Sequence, residues 1–440
     1  MAAIPITEAH GRPRRRTHRT PPVADRGWLL RCYLLRSSDA VASAVIMYAV
    51  PLLVLTITHS AAWTGMAFLV EWGPRLVAIA GAGPLIDRHS PQSAVLGTSL
   101  LRAAASLGAM VGLAFGVGVG AVMAFGVVTG MLAEASFLAV ESLGAEASRR
   151  AGPRAHQVQA TLTSIDQTAL LLGPLLGGAL LLVSPALLLS TVIVLSAVTS
   201  TVALVLRTER PRLRVVTGHE QQQDSPLAAL TAGLGTLRRT PALAWLVAAL
   251  AAGNLVSGVL QVSTPITVTV ELGHSSAAVG AVWSIAAGAS LAAVAMSRRA
   301  VDRYGLYPVG LAAAVLMCAA TLAAGLAPSL TPYTSAIAAL MAAEGALTVV
   351  LRTARARLIP ERGFAAALAV TVLLVLAPLP LAGLLVAAVP RGHLQGLVLA
   401  VGGVEVIVTA ICYRGLWRHR ADYEQTPVHE ADHANQAQAA

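Results

Sequence analysis

The sequence has no lysine and little charge of either sign. All 31 basic residues are arginine, and charged residues make up 12% of the 440 residues. Soluble domains carry about 25% charged residues, which help to cover their surface. Because hydrophobic residues reach 56% here, too few polar side chains remain for such a surface. The composition therefore excludes an ordinary soluble globular domain and indicates lipid as the solvent.

Several catalytic and metal-binding signatures are also missing. Without lysine the phosphate-binding motif G-x-x-x-x-G-K-[ST] cannot form, so we do not expect ATP to power this chain directly. No H-E-x-x-H sequence occurs, and no G-x-S-x-G turn follows a strand. The three cysteines, Cys32, Cys318 and Cys412, have no metal-ligand spacing. We therefore expect no enzyme, no metal site and no cofactor.

The chain is rich in long apolar runs. A helix needs about 20 apolar residues to cross the ~30 Å hydrocarbon core of a bilayer. We predict transmembrane helices near residues 38–58, 61–85, 93–116, 118–141, 161–183, 184–206, 242–266, 276–297, 308–327, 332–352, 364–389 and 393–414. The predicted fold class is therefore an all-α membrane protein with twelve transmembrane helices.

The arginines indicate on which side of the membrane each loop lies. The net charge is +10, but the arginines lie between apolar runs, which fits cytoplasmic loops rather than a nucleic-acid partner. With the N-terminus inside, the inner loops contain Arg88, Arg149, Arg150, Arg154, Arg298, Arg299, Arg303, Arg352, Arg355, Arg357 and Arg362. The outer loops contain only Arg391. This bias predicts a multi-pass protein of the plasma (inner) membrane with both termini in the cytoplasm.

Polar segments divide the chain into five parts. We predict a disordered basic tail at 1–35, a six-helix bundle at 36–206, a cytoplasmic linker at 207–241, a second six-helix bundle at 242–415 and a C-terminal tail at 416–440. Within the linker, the apolar segment from Leu227 to Leu237 fits two interpretations equally well. It is either an amphipathic helix on the inner leaflet or part of an ordinary solvated linker.

Two loops in corresponding positions of the two bundles are alike. The loop after the second predicted helix contains Gly83, Asp87 and Arg88, and the loop after the eighth contains Asp302, Arg303 and Gly305. Internal duplication of this kind is common in transporter folds. It predicts two pseudo-symmetric halves.

These loops resemble a signature of the major facilitator superfamily, G-x-L-x-D-R-x-G-R-R, although residues 90–92 replace its later glycine and arginines. The fifth predicted helix is similar to the G-P-x-x-G-G core of the drug/proton antiporter motif, with Gly173, Pro174, Gly177 and Gly178. The opening stretch from Ser38 to Leu53 looks like the macrolide-exporter branch. The resemblance implies the major facilitator fold and transport by alternating access.

The motif residues also have a physical interpretation of their own. Glycine lets helices approach closely in lipid, and Pro174 removes an intrahelical hydrogen bond and permits a bend. Asp87, at an inner helix end, is a candidate to pair across the two halves and hold a gate shut. The alternatives are a solvated loop for Asp87 and Arg88, and tight packing without any role in coupling for the glycines.

Polar residues inside the predicted helices are candidates for a substrate and proton pathway. A charge at the bilayer centre costs about 2.5–3.5 kcal/mol, so each needs a partner or a role. Glu71 and Arg75 are four residues apart on one helical face, where we expect them to neutralise each other. The other candidates are Glu134, Asp166, Asn254, Gln261 and Glu344.

Two interpretations compete for these groups. A carboxylate in low-dielectric surroundings takes up and releases a proton as water access changes, or it forms a static pair that locks two helices together. The superfamily resemblance implies that helices 1, 4, 7 and 10 line a central cavity, so the candidates on these helices are expected to face substrate. We interpret Asp39 as a helix-end residue and Glu405 as a structural residue.

The function predicted is secondary active transport, namely proton-coupled efflux of a drug-like small molecule or secondary metabolite. The nearest alternative is an importer or exchanger of a nutrient or metabolite with the same fold. A membrane-embedded enzyme, or a sensor without transport, is an alternative of another class. The expected partners are a small-molecule substrate, protons and the lipid bilayer, with no nucleic acid, and the expected state is a monomer.

Overall fold

The computed structural model describes residues 26–88, 90–151, 155–206, 226–359, 364–390 and 392–421, and its regular structure in these ranges is entirely helical. The helices are α1 Arg26–Thr58, α2 Ala61–Arg88, α3 Pro91–Ala114, α4 Val119–Ala151, α5 Ala155–Val183, α6 Pro185–Val205, α7 Pro226–Arg239, α8 Pro241–Ile266, α9 Ser276–Tyr304, α10 Leu306–Gly325, α11 Leu330–Leu358, α12 Phe364–Leu376, α13 Pro378–Ala388 and α14 Leu394–Arg418. A π-helical turn, Thr267–Glu271, continues α8.

Eleven helical segments of the described ranges are long and apolar enough to cross a membrane, with α12 and α13 together forming one of them. Helix α2 is the remaining long helix of the N-terminal half, and it packs against α4 and α13. Its 28 residues span about 42 Å at 1.5 Å per residue, which exceeds the hydrocarbon thickness. The prediction of an all-α membrane protein with twelve crossings is confirmed.

Several helices extend beyond their predicted ends. Helix α1 begins at Arg26 rather than near residue 38, and α4 ends at Ala151 rather than near residue 141. Helix α1 therefore begins ten residues before the predicted boundary at 36 between tail and bundle. Hydropathy marks only the part of a helix inside hydrocarbon, whereas the first turns of α1 pack their apolar side chains, including Trp28 and Leu35, against α4.

The eleventh predicted helix is divided in two. Pro378 and Pro380 lack the N–H groups that would continue α12, and α13 starts at Pro378. On the neighbouring helix α8, the Asn254 side chain donates a hydrogen bond of 2.8 Å from Nδ2 to the carbonyl oxygen of Val375. This bond stabilises the chain immediately before the break.

The predicted linker contains a helix, as the first of its two interpretations requires. Helix α7 covers the segment from Leu227 to Leu237 and packs against α12 and α8, with Leu237 buried. Arg238 and Arg239 lie in its last turn, where cations interact favourably with the helix dipole. Residues 207–225 of the predicted linker lie outside the described residues.

Helix packing repeats between the halves. In the N-terminal half α1 packs on α5, α2 on α4, and α3 on α6. The C-terminal half repeats these pairs as α8 on α13, α9 on α11, and α10 on α14. The two halves meet along α5–α9 and α2–α13, which are themselves equivalent pairs. Both the duplication and the pseudo-symmetry inferred from the two loops are therefore present in the fold.

Candidate functional site

A cavity of about 700 Å³ lies among the helices of the N-terminal half. Helices α1 to α5 supply its lining, and Arg352 of α11 is the contribution from the C-terminal half among the described residues. The cavity extends from Thr129 to Glu141 along α4, roughly 18 Å at 1.5 Å per residue. Glu141 lies at the end of the bundle where α1 begins and α14 ends, and its side chain is 47% exposed. The cavity therefore opens on the side of the membrane that holds both ends of the helical core.

The opposite end of the cavity is closed by aromatic and proline side chains. The rings of Tyr48 and Trp283 lie 5.4 Å apart between their centroids and join α1 to α9. Behind them, Pro51, Pro174 and Gln261 enclose a void of only about 10 Å³, the space of a single water. The cavity is therefore closed at this end by side-chain packing.

Glycine packing completes this closure where the halves meet. A methyl group added at Gly178 of α5 would lie 2.5 Å from the carbonyl oxygen of Ser276, and one at Gly280 of α9 would lie 2.5 Å from that of Pro174. The Ser276 hydroxyl donates a 3.1 Å hydrogen bond to the carbonyl oxygen of Gly178. Close backbone approach of this kind holds helices together in lipid, where the hydrophobic effect does not act between them.

The equivalent contact between α2 and α13 uses the same device. Gly65 and Gly383 face each other so closely that a methyl group on either would overlap the carbonyl oxygen of the other. The α5–α9 and α2–α13 contacts together form what we call the glycine seams. Both seams lie toward the closed end of the molecule, opposite the cavity mouth.

The helix 5 motif residues are thus divided between two contacts. Gly178 and the Pro174 carbonyl face α9 across the seam, whereas Gly173 packs inside the N-terminal half against Ala44 of α1. Gly177 has only ordinary contacts with α1. The motif therefore lets α5 pack tightly on two faces. One face contacts α1 of the same bundle, and the opposite face contacts α9 of the C-terminal half.

The predicted pair between Glu71 and Arg75 does not form. Arg75 instead donates from Nε to Oε1 of Glu134 on α4 at 2.5 Å, and its guanidinium lies 4.3 Å from the ring centroid of Trp72. Helical spacing placed Glu71 and Arg75 on one face, but it carries no information on which carboxylate of a neighbouring helix lies closer. Glu134 is the partner of Arg75, which itself lines the cavity.

Glu71 is left without an ion-pair partner among the described residues. Its side chain lines the cavity at the deep end, and only 3% of the residue is exposed. Its Oε2 atom is buried and accepts no hydrogen bond within the described part of the chain. Gly130 on α4 allows this close approach, because a methyl group there would overlap the Glu71 carbonyl oxygen. A buried carboxyl group with an unused acceptor is suited to bind a proton or a cationic group.

A second buried network surrounds Asp39, which is not a helix-end residue because α1 begins thirteen residues earlier. Arg102 of α3 donates from Nη2 to Asp39 Oδ1 at 2.9 Å and from Nε to Ser196 of α6 at 2.9 Å. Ser136 of α4 also donates to Asp39 Oδ1, at 2.9 Å. The network joins four helices and lines the cavity wall. Two intramembrane charges of opposite sign were the sequence signal for this pair.

At the cavity mouth, Arg36 lies between two carboxylates. It donates to both oxygens of Asp166 on α5, with Nε to Oδ1 at 2.7 Å, and from Nη2 to Oε1 of Glu141 on α4 at 2.5 Å. Asp166 was a predicted candidate, but Arg36, the first residue of the predicted N-terminal bundle, lies before the first predicted helix and was not among the candidates. One guanidinium shared by two carboxylates leaves a surplus of negative charge at the mouth.

The candidates in the C-terminal half do not line this cavity. Glu344 accepts a 2.9 Å hydrogen bond from Ser257 of α8, and Asn254 binds the backbone of α12. Gln261 is half-buried at the closed end, and its Nε2 atom is buried without a hydrogen-bond partner in the described ranges. None of the three is among the residues that line the cavity, and their facing substrate stays a prediction.

The two copies of the loop signature have different outcomes. The backbone of Gly83, Asp87 and Arg88 belongs to α2, but their side chains lie outside the described residues. Asp302 and Arg303 are exposed at the end of α9. Gly305 has φ of +87°, a left-handed conformation that favours glycine, and it makes the sharp turn into α10. In the described structure, the second copy therefore acts as a helix-to-helix corner.

The chemistry of the cavity is that of paired charges. Within the ranges described, no three His, Cys, Asp or Glu side chains are arranged to hold a metal ion. The polar lining consists of arginines, carboxylates and hydroxyls on otherwise apolar helices. Such a surface combines paired charges with apolar walls, and Glu71 is the carboxyl group in it without an ion-pair partner among the described residues.

Solved structures of membrane transporters share this fold. A bacterial homologue of the human lysosomal transporter Spinster, in an inward-facing and unoccupied conformation, is 16% identical with a TM-score of 0.65, over 91% of this chain and 98% of that chain. The nucleoside transporter NupG is 12% identical with a TM-score of 0.69, over 89% and 99%. A bacterial homologue of the iron transporter ferroportin, in an inward-facing state, is 16% identical with a TM-score of 0.64, over 88% and 97%.

Sequence comparison identifies the family. No curated protein matches the chain significantly. A family model described as Major Facilitator Superfamily matches residues 32–379, which is most of the chain. The match includes the cavity, the Asp39 network and the α5–α9 seam, but it ends before Gly383 of the α2–α13 seam. With twelve crossings in two equivalent halves, the chain belongs to the Major Facilitator Superfamily.

Proposed function

We propose that this protein is a secondary active transporter that exports a drug-like small molecule or secondary metabolite in exchange for protons. The carrying observation is the cavity of about 700 Å³ with Glu71 unpaired at its deep end. A transporter needs a binding chamber that opens on one side at a time, and it needs a group whose charge state couples to that opening. The chamber and Glu71 meet these two requirements.

Glu71 is the coupling residue in this proposal. Arg75 is four residues away but is held by Glu134 at 2.5 Å and by the ring of Trp72. Glu71 therefore remains free to bind a proton when water reaches it from one side and to release it on the other. Proton entry supplies about 2.3 kcal/mol per 100 mV of membrane potential and about 1.4 kcal/mol per pH unit.

Alternating access would proceed by opening the glycine seams and closing the mouth. Two of the structurally similar transporters were solved in inward-facing states, and the cavity here opens on the side that carries both ends of the helical core. With the arginine-rich loops in the cytoplasm of a cell, as proposed from the sequence, the state described faces inward. Export then requires the α5–α9 and α2–α13 contacts to separate while α11 moves toward α4.

The test is flux in proteoliposomes containing the full-length protein and a panel of labelled amphipathic compounds. A pH gradient should drive transport of at least one compound, with the sign expected for proton exchange. Glu71→Gln should lower the gradient-driven component at least tenfold, because the amide cannot carry a proton. It should retain exchange of labelled for unlabelled substrate, which needs no net proton movement.

Glu405→Gln is the matched control, since Glu405 is also a buried carboxyl group but lies outside the cavity. Loading the substrate on either side of the membrane separates export from the import or exchange alternative. Flux that is indifferent to the pH gradient, or equal in Glu71→Gln and the unchanged protein, would contradict proton coupling. Absence of flux for a panel that binds the protein would contradict transport.

A further inference from the structure

A second concave site lies on the outside of the C-terminal half. It is a wedge-shaped groove of about 500 Å³ between α9, α10 and α11. Its lining is almost entirely apolar and includes Met296, Ala300 and Tyr304 on α9, Ala312 and Leu316 on α10, and Ala346 on α11. We call it the α9–α10 wedge. It is separate from the transport cavity, with which it shares no lining residue.

The turn at Gly305 explains why the wedge exists. A single residue connects α9 to α10, so the helices are forced together at Tyr304 and Leu306. Away from the turn they diverge, because α9 packs on α5 and α11 whereas α10 packs on α11 and α14. The gap between them is floored by α11, where Ala342, Ala343 and Ala346 have side chains too small to fill it.

The wedge has the length of one membrane leaflet. Its lining on α9 runs from Ala293 to Tyr304, which is about 17 Å of helix and about half of the hydrocarbon thickness. The narrow end is at the membrane surface on the same side as the cavity mouth. The groove is therefore directed along the membrane normal, as a lipid chain is.

Two arginines lie at the surface end of this groove. Arg299 and Arg303 are exposed, and the Arg303 guanidinium lies 5.3 Å from the ring centroid of Tyr304, which lines the wedge. Arg303 is seven residues beyond Met296, so on an ideal helix the two point within about 20° of each other. The one acidic neighbour on this stretch of α9, Asp302, is rotated by about 100° from Arg303 and by about 60° from Arg299, so Arg303 is the arginine that points further away from it.

We propose that the α9–α10 wedge binds an anionic phospholipid, with an acyl chain in the groove and the phosphate at Arg299 and Arg303. Arginine suits this role because its planar guanidinium recognises phosphate through paired hydrogen bonds. An apolar slot of leaflet length beneath two cations matches the chain and the headgroup of a single molecule. Basic pockets between membrane helices recognise anionic headgroups in this way.

Native mass spectrometry of the purified full-length protein tests the headgroup, with phosphatidylglycerol and phosphatidylcholine as probes. The double variant Arg299→Gln/Arg303→Gln should bind phosphatidylglycerol about 30-fold more weakly and phosphatidylcholine unchanged. The matched control is Arg414→Gln/Arg418→Gln. These two exposed arginines have the same spacing and lie near the C-terminal end of α14, as Arg299 and Arg303 lie near the C-terminal end of α9. Equal phosphatidylglycerol binding by both double variants would overturn the proposal.

A second pair of variants tests the chain. Ala312 is exposed toward the wedge, so Ala312→Leu fills the groove without entering the core and should weaken binding of both lipids. Ala319→Leu lies two turns further along α10, is also exposed, and should leave binding unchanged. Glycerol phosphate should not displace phosphatidylglycerol. Full displacement by glycerol phosphate, or no effect of Ala312→Leu, would show that the groove does not hold a chain and would overturn the proposal.

Discussion

The two halves of the molecule share a helix arrangement but hold their charges differently. In the N-terminal half Arg36, Arg75 and Arg102 each pair with a carboxylate from another helix. In the C-terminal half Glu344 accepts a hydrogen bond from Ser257, and Glu405 accepts one from Thr321. All the ion pairs found among the described residues lie in the N-terminal half.

The position of the cavity follows the same division. Paired charges line the cavity of about 700 Å³ in the N-terminal half, whereas the interior of the C-terminal half contains voids such as the one of about 10 Å³ beside Glu405. Charges in a membrane protein are stable where they are paired or hydrated. The difference means that, among the described residues, the paired intramembrane charges and the large cavity occur in the same half.

The largest effect is expected from breaking the Asp39 network. Arg102→Leu leaves Asp39 buried without a counter-charge, which costs about 3–5 kcal/mol when a buried pair loses one partner. The measurement is the thermal unfolding midpoint of the protein in detergent. Adding Asp39→Asn to Arg102→Leu should recover much of the loss, because it removes the unpaired charge. A single variant as stable as the parent would contradict the importance assigned to this network.

The next effect concerns the α5–α9 seam between the halves. Gly280→Ala places a methyl group 2.5 Å from the Pro174 carbonyl oxygen, and overpacking of this kind costs about 1–3 kcal/mol. The added methyl group destabilises the conformation in which the α5–α9 seam is closed. We therefore expect the population to shift toward the conformation that is open at that end. Reaction of Gln261→Cys with an impermeant thiol reagent should then increase.

The control for the seam is Gly288→Ala on the same helix. A methyl group there makes only an ordinary contact of 3.7 Å with Leu171. It should leave the reactivity of Gln261→Cys unchanged. Equal reactivity in both alanine variants would mean that the glycine seam does not determine which end is open.

A smaller effect is expected where the C-terminal half reaches the cavity. Arg352 is exposed at the mouth. There it faces the cluster in which Glu141 and Asp166 share Arg36, so that the cluster carries a net negative charge. Mouth closure would bring these charges together, and a partly exposed pair contributes up to about 1 kcal/mol. Arg352→Gln should therefore lower flux by about two- to fivefold. Arg357→Gln, on the same helix but outside the cavity lining, should not change it.

The smallest effect is expected at Glu405, the C-terminal counterpart of the buried carboxylates. Glu405→Gln can still accept the hydrogen bond from Thr321, and it removes a charge that has no arginine partner in the described residues. The change in unfolding free energy should stay below about 1 kcal/mol. The measurement is the thermal unfolding midpoint of Glu405→Gln, compared with that of Arg102→Leu under the same conditions. A loss as large as that of Arg102→Leu would remove the distinction between the halves.

The sequence predicted where the helices are more accurately than where they end. Apolar runs identify the hydrocarbon-spanning part, because lipid requires about 20 consecutive apolar residues. Beyond that part, helices such as α1 and α4 continue because they pack on each other, and hydropathy does not report such packing. The break at Pro378 was visible as a proline, but prolines in other helices of this protein, such as Pro51 and Pro174, do not end them.

Candidate site residues were found more reliably as a class than as pairs. Searching for charges inside apolar runs identified Glu71, Glu134 and Asp166, all of which lie at the cavity or pair with a residue that lines it. The same criterion paired Arg75 with the wrong carboxylate and did not include Arg36, which lies before the first predicted helix. Which side chains pair across two helices depends on how the helices are rotated and shifted relative to each other. The spacing of residues within one helix does not contain this information.

The sequence by itself determined the solvent, the number of crossings and the duplicated halves, because hydrophobicity and repetition are properties of local composition. Only the tertiary structure decided which arginine neutralises which carboxylate, and that Glu71 has no ion-pair partner among the described residues. It also decided which end is closed, because that depends on glycine faces on separate helices meeting at Gly178 and Gly280. The physical reason is that a buried charge or a small residue acquires its role from the atoms of another helix, which its own neighbours in the chain do not specify.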